Sequence, residues 1–163
     1  MMLSYHLPVF SRRAKRQLVS HEKFYFFDTG VFRQLRPKGP LDRPSEIDGM
    51  ALEGLVMQNL RAWADYSAED IGLFYWRTKG GTEVDFVIYG ETCFAAIEVK
   101  NSDRVRQGQL RSLKAFLEDY PEADAYLLYR GTDLLKVDGI YCVPWTRFLM
   151  SLSAGEPVSP GRF

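Results

Sequence analysis

The sequence predicts an α/β domain with a central mixed β-sheet flanked by helices. Two observations carry that expectation. Segments of helical and strand-like patterning follow one another in the order helix, three strands, helix, two strands. Within them, Glu83–Lys100 reads as two apolar strands around a Gly90-Glu91 turn, with charged residues where a sheet is normally buried.

Residues 1–44 differ from the rest and read as an N-terminal basic arm and loop. Arg12, Arg13, Lys15 and Arg16 form a basic cluster with no sustained apolar face. The run Lys23–Phe27 follows, then Asp28-Thr29-Gly30 as a turn or cap signal, and Pro37, Gly39, Pro40 and Pro44 make residues 36–45 a loop. Ser45 reads as a helix N-cap with Asp48 in capping-box position. Leu52, Leu55, Val56, Leu60 and Trp63 recur at helical spacing over 46–65, and Glu53 lies at the margin of that stripe.

After a loop at Ala68-Glu69-Asp70, Gly72–Arg77 is a strand, and Lys79-Gly80-Gly81 is a hairpin connection into the Glu83 strand. Val105, Leu110, Leu113, Phe116 and Leu117 predict a second helix over 102–120, stopped by Pro121. Ala125–Tyr129 and Lys136–Val143 each read as one strand, and Trp145–Leu152 as a short helix. The core domain therefore spans 45–152, and 153–163 reads as a flexible tail.

Composition narrows the function. Lysine plus arginine equals aspartate plus glutamate, 21 each, which argues against non-specific coating of nucleic acid but leaves room for a local basic patch. Cys93 and Cys142 lack metal or redox spacing, and with only His6 and His21 a histidine zinc site or Ser-His-Asp triad has little material. No apolar run approaches the roughly 20 residues that span a bilayer, and Pro8 and the basic cluster interrupt any signal-peptide core. A cytoplasmic protein without membrane contact is expected.

The chemistry concentrates in the Glu83–Lys100 hairpin. With a two-residue turn, Tyr89 pairs with Thr92 and Asp85 lies opposite Ala96, so Glu83, Asp85, Ala96, Glu98 and Lys100 share one face. Val84, Phe86, Ile88, Ala95, Ile97 and Val99 form an apolar opposite face. Magnesium or manganese prefers oxygen ligands, and Asp85, Glu98 and the Val99 carbonyl supply them, with Glu53 as a further ligand. Lys100 is placed to orient or activate an attacking water. Arg77, Lys79, Arg104, Arg106 and Gln109 flank the site as candidate nucleic-acid contacts.

Asp85, twelve residues and Glu98-Val99-Lys100, with Glu53 upstream on a helix, resembles the PD-(D/E)xK nuclease superfamily. Lys23-Phe24-Tyr25, Asp28-Thr29-Gly30, Glu53, Glu83–Val87 and Ile97–Lys100 together resemble a domain of unknown function. That domain usually forms the C-terminal part of prokaryotic AAA+-type ATPase-like proteins. The resemblance covers about residues 20–150. It implies a restriction-endonuclease-like core in α-β-β-β-α-β order and a magnesium-dependent nuclease acting on DNA. Asp85, Glu98, Lys100 and Glu53 would be its catalytic residues.

The resemblance also implies a partner ATPase domain or further subunits, with a homodimer as another arrangement, and makes residues before Lys23 a remnant of a winged-helix linker. Two features depart from it. Val84 stands where the superfamily's name has proline, and no GxxxxGK[ST] motif is present, so this chain has no ATP site of that type and reads as a fragment or truncated product. The alternatives are a structural ion-pair cluster on a half-exposed sheet, hence a non-catalytic nucleic-acid- or protein-binding regulatory domain, and a purely structural dimerisation domain.

Overall fold

Six strands assemble into one sheet because their apolar runs alternate with connections of two kinds, short turns and one helical crossover. A computed structural model describes residues 4–26, 30, 39, 43–68 and 70–163. The expected turn at Asp28-Thr29, Glu69 and most of the loop at 36–45 lie outside the described residues. The elements are β1 (Ser4–Leu7), β2 (Lys23–Phe26), α1 (Pro44–Tyr66), β3 (Gly72–Arg77), β4 (Glu83–Tyr89), β5 (Phe94–Val99), α2 (Arg111–Asp119), β6 (Asp124–Tyr129), β7 (Leu135–Val137), β8 (Ile140–Pro144) and α3 (Trp145–Ser151).

Strand order is β3-β4-β5-β6-β8-β7, with β1 and β2 forming a separate antiparallel pair. Tight connections make β3, β4 and β5 antiparallel, whereas the α2 crossover makes β5 and β6 parallel. The mixed α/β sheet expected from the sequence is therefore present. Both its faces are buried. Leu52, Val56, Leu60 and Trp63 of α1, with Phe148 of α3, pack against Phe86, Ile88, Ala95 and Ile97. Leu113 and Phe116 of α2 pack against Trp76, Val84, Val87 and Ala96.

The hairpin differs from the expected one. Tyr89 pairs with Phe94, Val87 with Ala96 and Phe86 with Ile97, and a Gly90 N–H to Cys93 carbonyl bond of 2.8 Å closes a longer loop. A slip of two residues leaves each side chain's face unchanged, where a slip of one would have inverted it. The apolar face is nonetheless broken. Trp76 pairs with Val84 but Phe74 with Val87, so Asp85 and Phe86 together oppose the single residue Tyr75. This bulge sends Val84 into the α2 core and Phe86 into the α1 core.

Other boundaries shift for local reasons. Pro44 occupies the first turn of α1 and Arg43 is the N-cap without a side-chain bond, so Ser45 lies inside the helix and forms no capping box with Asp48. The second helix starts later than 102. Lys100 N–H bonds the Leu128 carbonyl and Arg130 N–H the Ser102 carbonyl, keeping this stretch extended beside β6. A 3₁₀ turn at Gln107–Leu110 then leads into α2. The strand expected over Lys136–Val143 is a hairpin of β7 and β8, turned by Asp138 (φ 51°) and Gly139 (φ 83°). Two consecutive positive φ values are what a type I′ turn requires.

The N-terminal stretch read as an arm is built into the fold. Phe10 N–H bonds Tyr75 O, Tyr75 N–H bonds Pro8 O, Val19 N–H bonds Arg77 O and Lys79 N–H bonds Gln17 O, all at 2.7–3.1 Å. These bonds cover the free edge of β3. Phe10 is 1% exposed and its ring meets those of Phe74, Tyr89, Phe94, Phe116 and Tyr120. Arg16 grips Asp119 at 3.1 Å and Glu118 at 2.5 Å.

The stretch after Ser153 is packed as well. Trp63 Nε1–H reaches the Ser153 and Glu156 carbonyls, Val158 is buried, and the Phe163 ring stacks on Phe148. Among the described residues no helix is long and apolar enough to cross a membrane.

Candidate functional site

At the end of β4 and β5 remote from their connecting loop, the regular ladder stops at Phe86–Ile97. The next backbone donor, Val99 N–H, is taken by the Asp85 carboxylate at 2.8 Å. The bulge lets this happen, because it frees Asp85 from the alternation that governs the rest of β4. Asp85 and Glu98 are both buried, at 8% and 4% exposure.

Burying two neighbouring carboxylates is costly and shifts their titration. Burial pushes the Asp85 carboxyl well above the usual carboxylate range, and the charges of Glu98 and Glu53 add to the shift against Lys23 and the Val99 N–H. Burial also raises Glu98, against the pull of Lys100. The Lys100 ammonium meets Glu98 Oε1 at 2.5 Å, while Glu98 Oε2 is buried with no hydrogen-bond partner among the described residues.

Lys23, on β2, is the residue that gathers the other acids. Its ammonium lies 2.7 Å from Glu53, 2.6 Å from Glu83 and 3.4 Å from Asp85. Burial opposes this charge, but Asp85, Glu53 and Glu83 hold the ammonium above the ordinary lysine range. Lys100 is likewise held high by Glu98 against the cost of burial. Glu53 Oε1 also accepts a hydrogen bond from the Tyr25 hydroxyl at 2.5 Å, and burial, then Glu53, push that phenol well above its usual value.

The structure thus brings Asp85, Glu98, Lys100 and Glu53 into one cluster. Lys23 and Tyr25 were not singled out as site residues from the sequence. Two signals mark them: Lys23-Phe24-Tyr25 is among the motifs of the family resemblance, and Lys23 and Tyr25 alternate with Phe24 and Phe26 along a strand-like run. Glu83 joins the cluster through Lys23 and also touches Arg77 at 3.4 Å. At Val99 the group seen in use is the N–H, whereas the expected ligand was its carbonyl.

The flanking basic residues scatter. Lys79, Arg104 and Arg106 are exposed. Gln109 serves the fold, since its Oε1 accepts the Arg106 N–H at 2.8 Å and its Nε2 donates to Ser102 Oγ at 2.9 Å.

The donor set is all oxygen with a lysine alongside, which suits a hard divalent cation that keeps several waters. Lys23 and Lys100, with Arg77 on Glu83, stand against Glu53, Glu83, Asp85 and Glu98, so the acids outnumber the basic groups by one. Among the described residues no group of three or more His, Cys, Asp or Glu side chains is gathered closely enough to hold a metal by itself. Any cation here would rest on the Asp85–Glu98 pair.

No curated protein and no solved structure matches the chain. Residues 48–148, the stretch carrying Glu53, Asp85, Glu98 and Lys100, match Domain of unknown function (DUF4143), and the chain belongs to that family.

Proposed function

We propose that this cluster is the centre of a divalent-metal-dependent nuclease module that hydrolyses DNA phosphodiesters, carried on a restriction-endonuclease-like core. One observation carries the reading: Asp85 and Glu98 are buried side by side, with Glu98 Oε2 unpartnered among the described residues. A buried carboxylate pair of this kind is stabilised by a cation and costly without one.

Asp85 and Glu98 would hold Mg²⁺ or Mn²⁺, with Glu53, engaged by Lys23 and Tyr25, assisting from outside the pair. The ion would supply charge neutralisation at the phosphate and a more acidic bound water. The chain's own residues then divide the work. Asp85 Oδ2 accepts the Val99 N–H and Oδ1 faces the Lys23 ammonium at 3.4 Å, so the carboxylate has a defined orientation. Lys100, anchored on Glu98, orients the attacking water and stabilises negative charge beside the phosphate. Lys23, paired with Glu53, Glu83 and Asp85, limits the negative charge of the site before substrate arrives.

By its resemblance to ATPase-associated domains, the module acts beside an ATPase domain or further subunits; a homodimer is a separate arrangement. Cleavage of plasmid DNA with Mg²⁺ or Mn²⁺ tests the activity. Alanine at Asp85 or at Lys100 should abolish it, and metal-dependent cleavage that survives both changes would overturn it.

A second reading is favoured by the Lys23 ion pairs. Lys23 already neutralises much of the acid cluster from within, as expected of a non-catalytic regulatory domain that binds nucleic acid or protein. That reading requires binding without hydrolysis and no cation uptake that depends on Asp85 and Glu98.

A further inference from the structure

The N-terminal basic cluster divides into residues the fold uses and residues it leaves over. Arg16 is consumed by Asp119 and Glu118, and Lys15 Nζ donates to the Glu118 carbonyl at 3.2 Å. Arg12 and Arg13 instead line a cavity of about 750 Å³ between this segment, α2 and the loop end of β4–β5. Tyr89, Phe94, Tyr120 and Phe10 form its aromatic wall. It lies at the opposite end of β4 from Asp85, about 13 Å away along the strand.

Three features make this more than a gap. The Arg12 guanidinium lies over the Tyr89 ring, 4.6 Å from its centroid, so a planar group already occupies that ring face, and a base taking its place would release the guanidinium toward the phosphate. Arg13 has no ion pair among the described residues and sits in the left-handed region at φ 50°, a strained conformation for a side chain with a Cβ. Tyr120, on the same wall, is buried and its hydroxyl has no hydrogen-bond partner among the described residues.

The charge is also uneven. Asp119 is neutralised by Arg16, so among the described lining residues Glu122 is the acid left to oppose Arg12, Arg13 and Lys15. Flat aromatic faces beside unpaired guanidinium groups recognise a planar ring bearing a phosphate.

We propose that this cavity binds a nucleotide unit, either free or within a single strand, with the base against Tyr89 and Phe94 and the phosphate on Arg12 and Arg13. The proposal is independent of the metal-site reading, because it concerns other residues and needs no cation.

Binding is measured in EDTA, by calorimetry with thymidine monophosphate and with inorganic phosphate, and by anisotropy with labelled oligothymidylate. At least one thymidylate probe should bind at least about ten-fold more tightly than inorganic phosphate. Arg12→Gln with Arg13→Gly should weaken that binding at least about ten-fold and lower the strand's salt slope by about 0.7 for each phosphate no longer neutralised. Arg13→Gly relaxes the left-handed backbone, so thermal stability at or above wild type separates lost binding from lost folding. Equal binding of both thymidylate probes identifies a mononucleotide site, and binding of the strand alone identifies a strand site. Inorganic phosphate binding as tightly as thymidylate, unchanged binding by the double variant, or no binding of either thymidylate probe would overturn the proposal.

Discussion

The Asp85 carboxylate takes the Val99 N–H at 2.8 Å, the point at which a side chain replaces the backbone in the β4–β5 ladder. That exchange puts a carboxylate inside the sheet's end, beside Glu98, where burial raises both carboxyls.

The first prediction concerns acid and neutral pH without metal. Native Asp85 keeps a proton that the unfolded chain releases near pH 4, so stability is fully present below about pH 4 and falls as pH rises toward the elevated native value. Glu98 acts in the same direction. Calorimetric melting in EDTA should show this fall, and Asp85→Asn should flatten it. A melting temperature that rises from about pH 5 to about pH 8 only in wild type would be the wrong sign.

Lys23 and Lys100 set the alkaline limit. Their ammonium groups are held above the ordinary lysine value by the acids around them. That stability is fully present below about pH 10.4 and is lost as pH rises through the elevated native values. Lys23→Met leaves Glu53, Glu83 and Asp85 without their shared cation. A fully buried pair broken this way costs about 3–5 kcal/mol, but Lys23 keeps 23% of its side chain exposed, so about 2 kcal/mol is expected by urea unfolding. Added Mg²⁺ should recover more stability in Lys23→Met than in wild type.

Phe10→Ala tests whether the N-terminal stretch belongs to the fold. The ring is 1% exposed within the α2 core, so removal should cost about 3–5 kcal/mol. A free arm would lose almost nothing in the same urea titration.

Gly139→Ala isolates a backbone effect. A Cβ at Gly139 meets nothing within 4 Å, yet φ is 83°. The loss should be about 1–2 kcal/mol with no change in the denaturant slope.

What was legible in the sequence was local. Leu52, Val56, Leu60 and Trp63 marked α1, and the apolar runs at 72–77, 83–89 and 94–99 marked three strands, because burial on a regular element imposes a period. The Asp138-Gly139 pair was a legible hairpin signal between β7 and β8 that a continuous apolar reading passed over.

The remainder was not local. Residues 8–19 join β3 through backbone groups and one buried ring, which leaves no periodic pattern. The bulge at Asp85-Phe86 depends on which residues of β3 lie opposite. Lys23 meets its acids across 30 to 62 positions of chain, so its pairing emerges only once β2, α1 and β4 are packed together.

Divalent-cation titration of the pair itself tests the account most directly. Mn²⁺ binding is followed by electron paramagnetic resonance in wild type and in Asp85→Asn/Glu98→Gln, with the fold of each verified by melting. A saturable Mn²⁺ site in wild type that is lost in the double variant is the predicted result. No saturable binding in wild type, or equal binding in the folded double variant, would contradict the assignment of Asp85 and Glu98 as metal ligands.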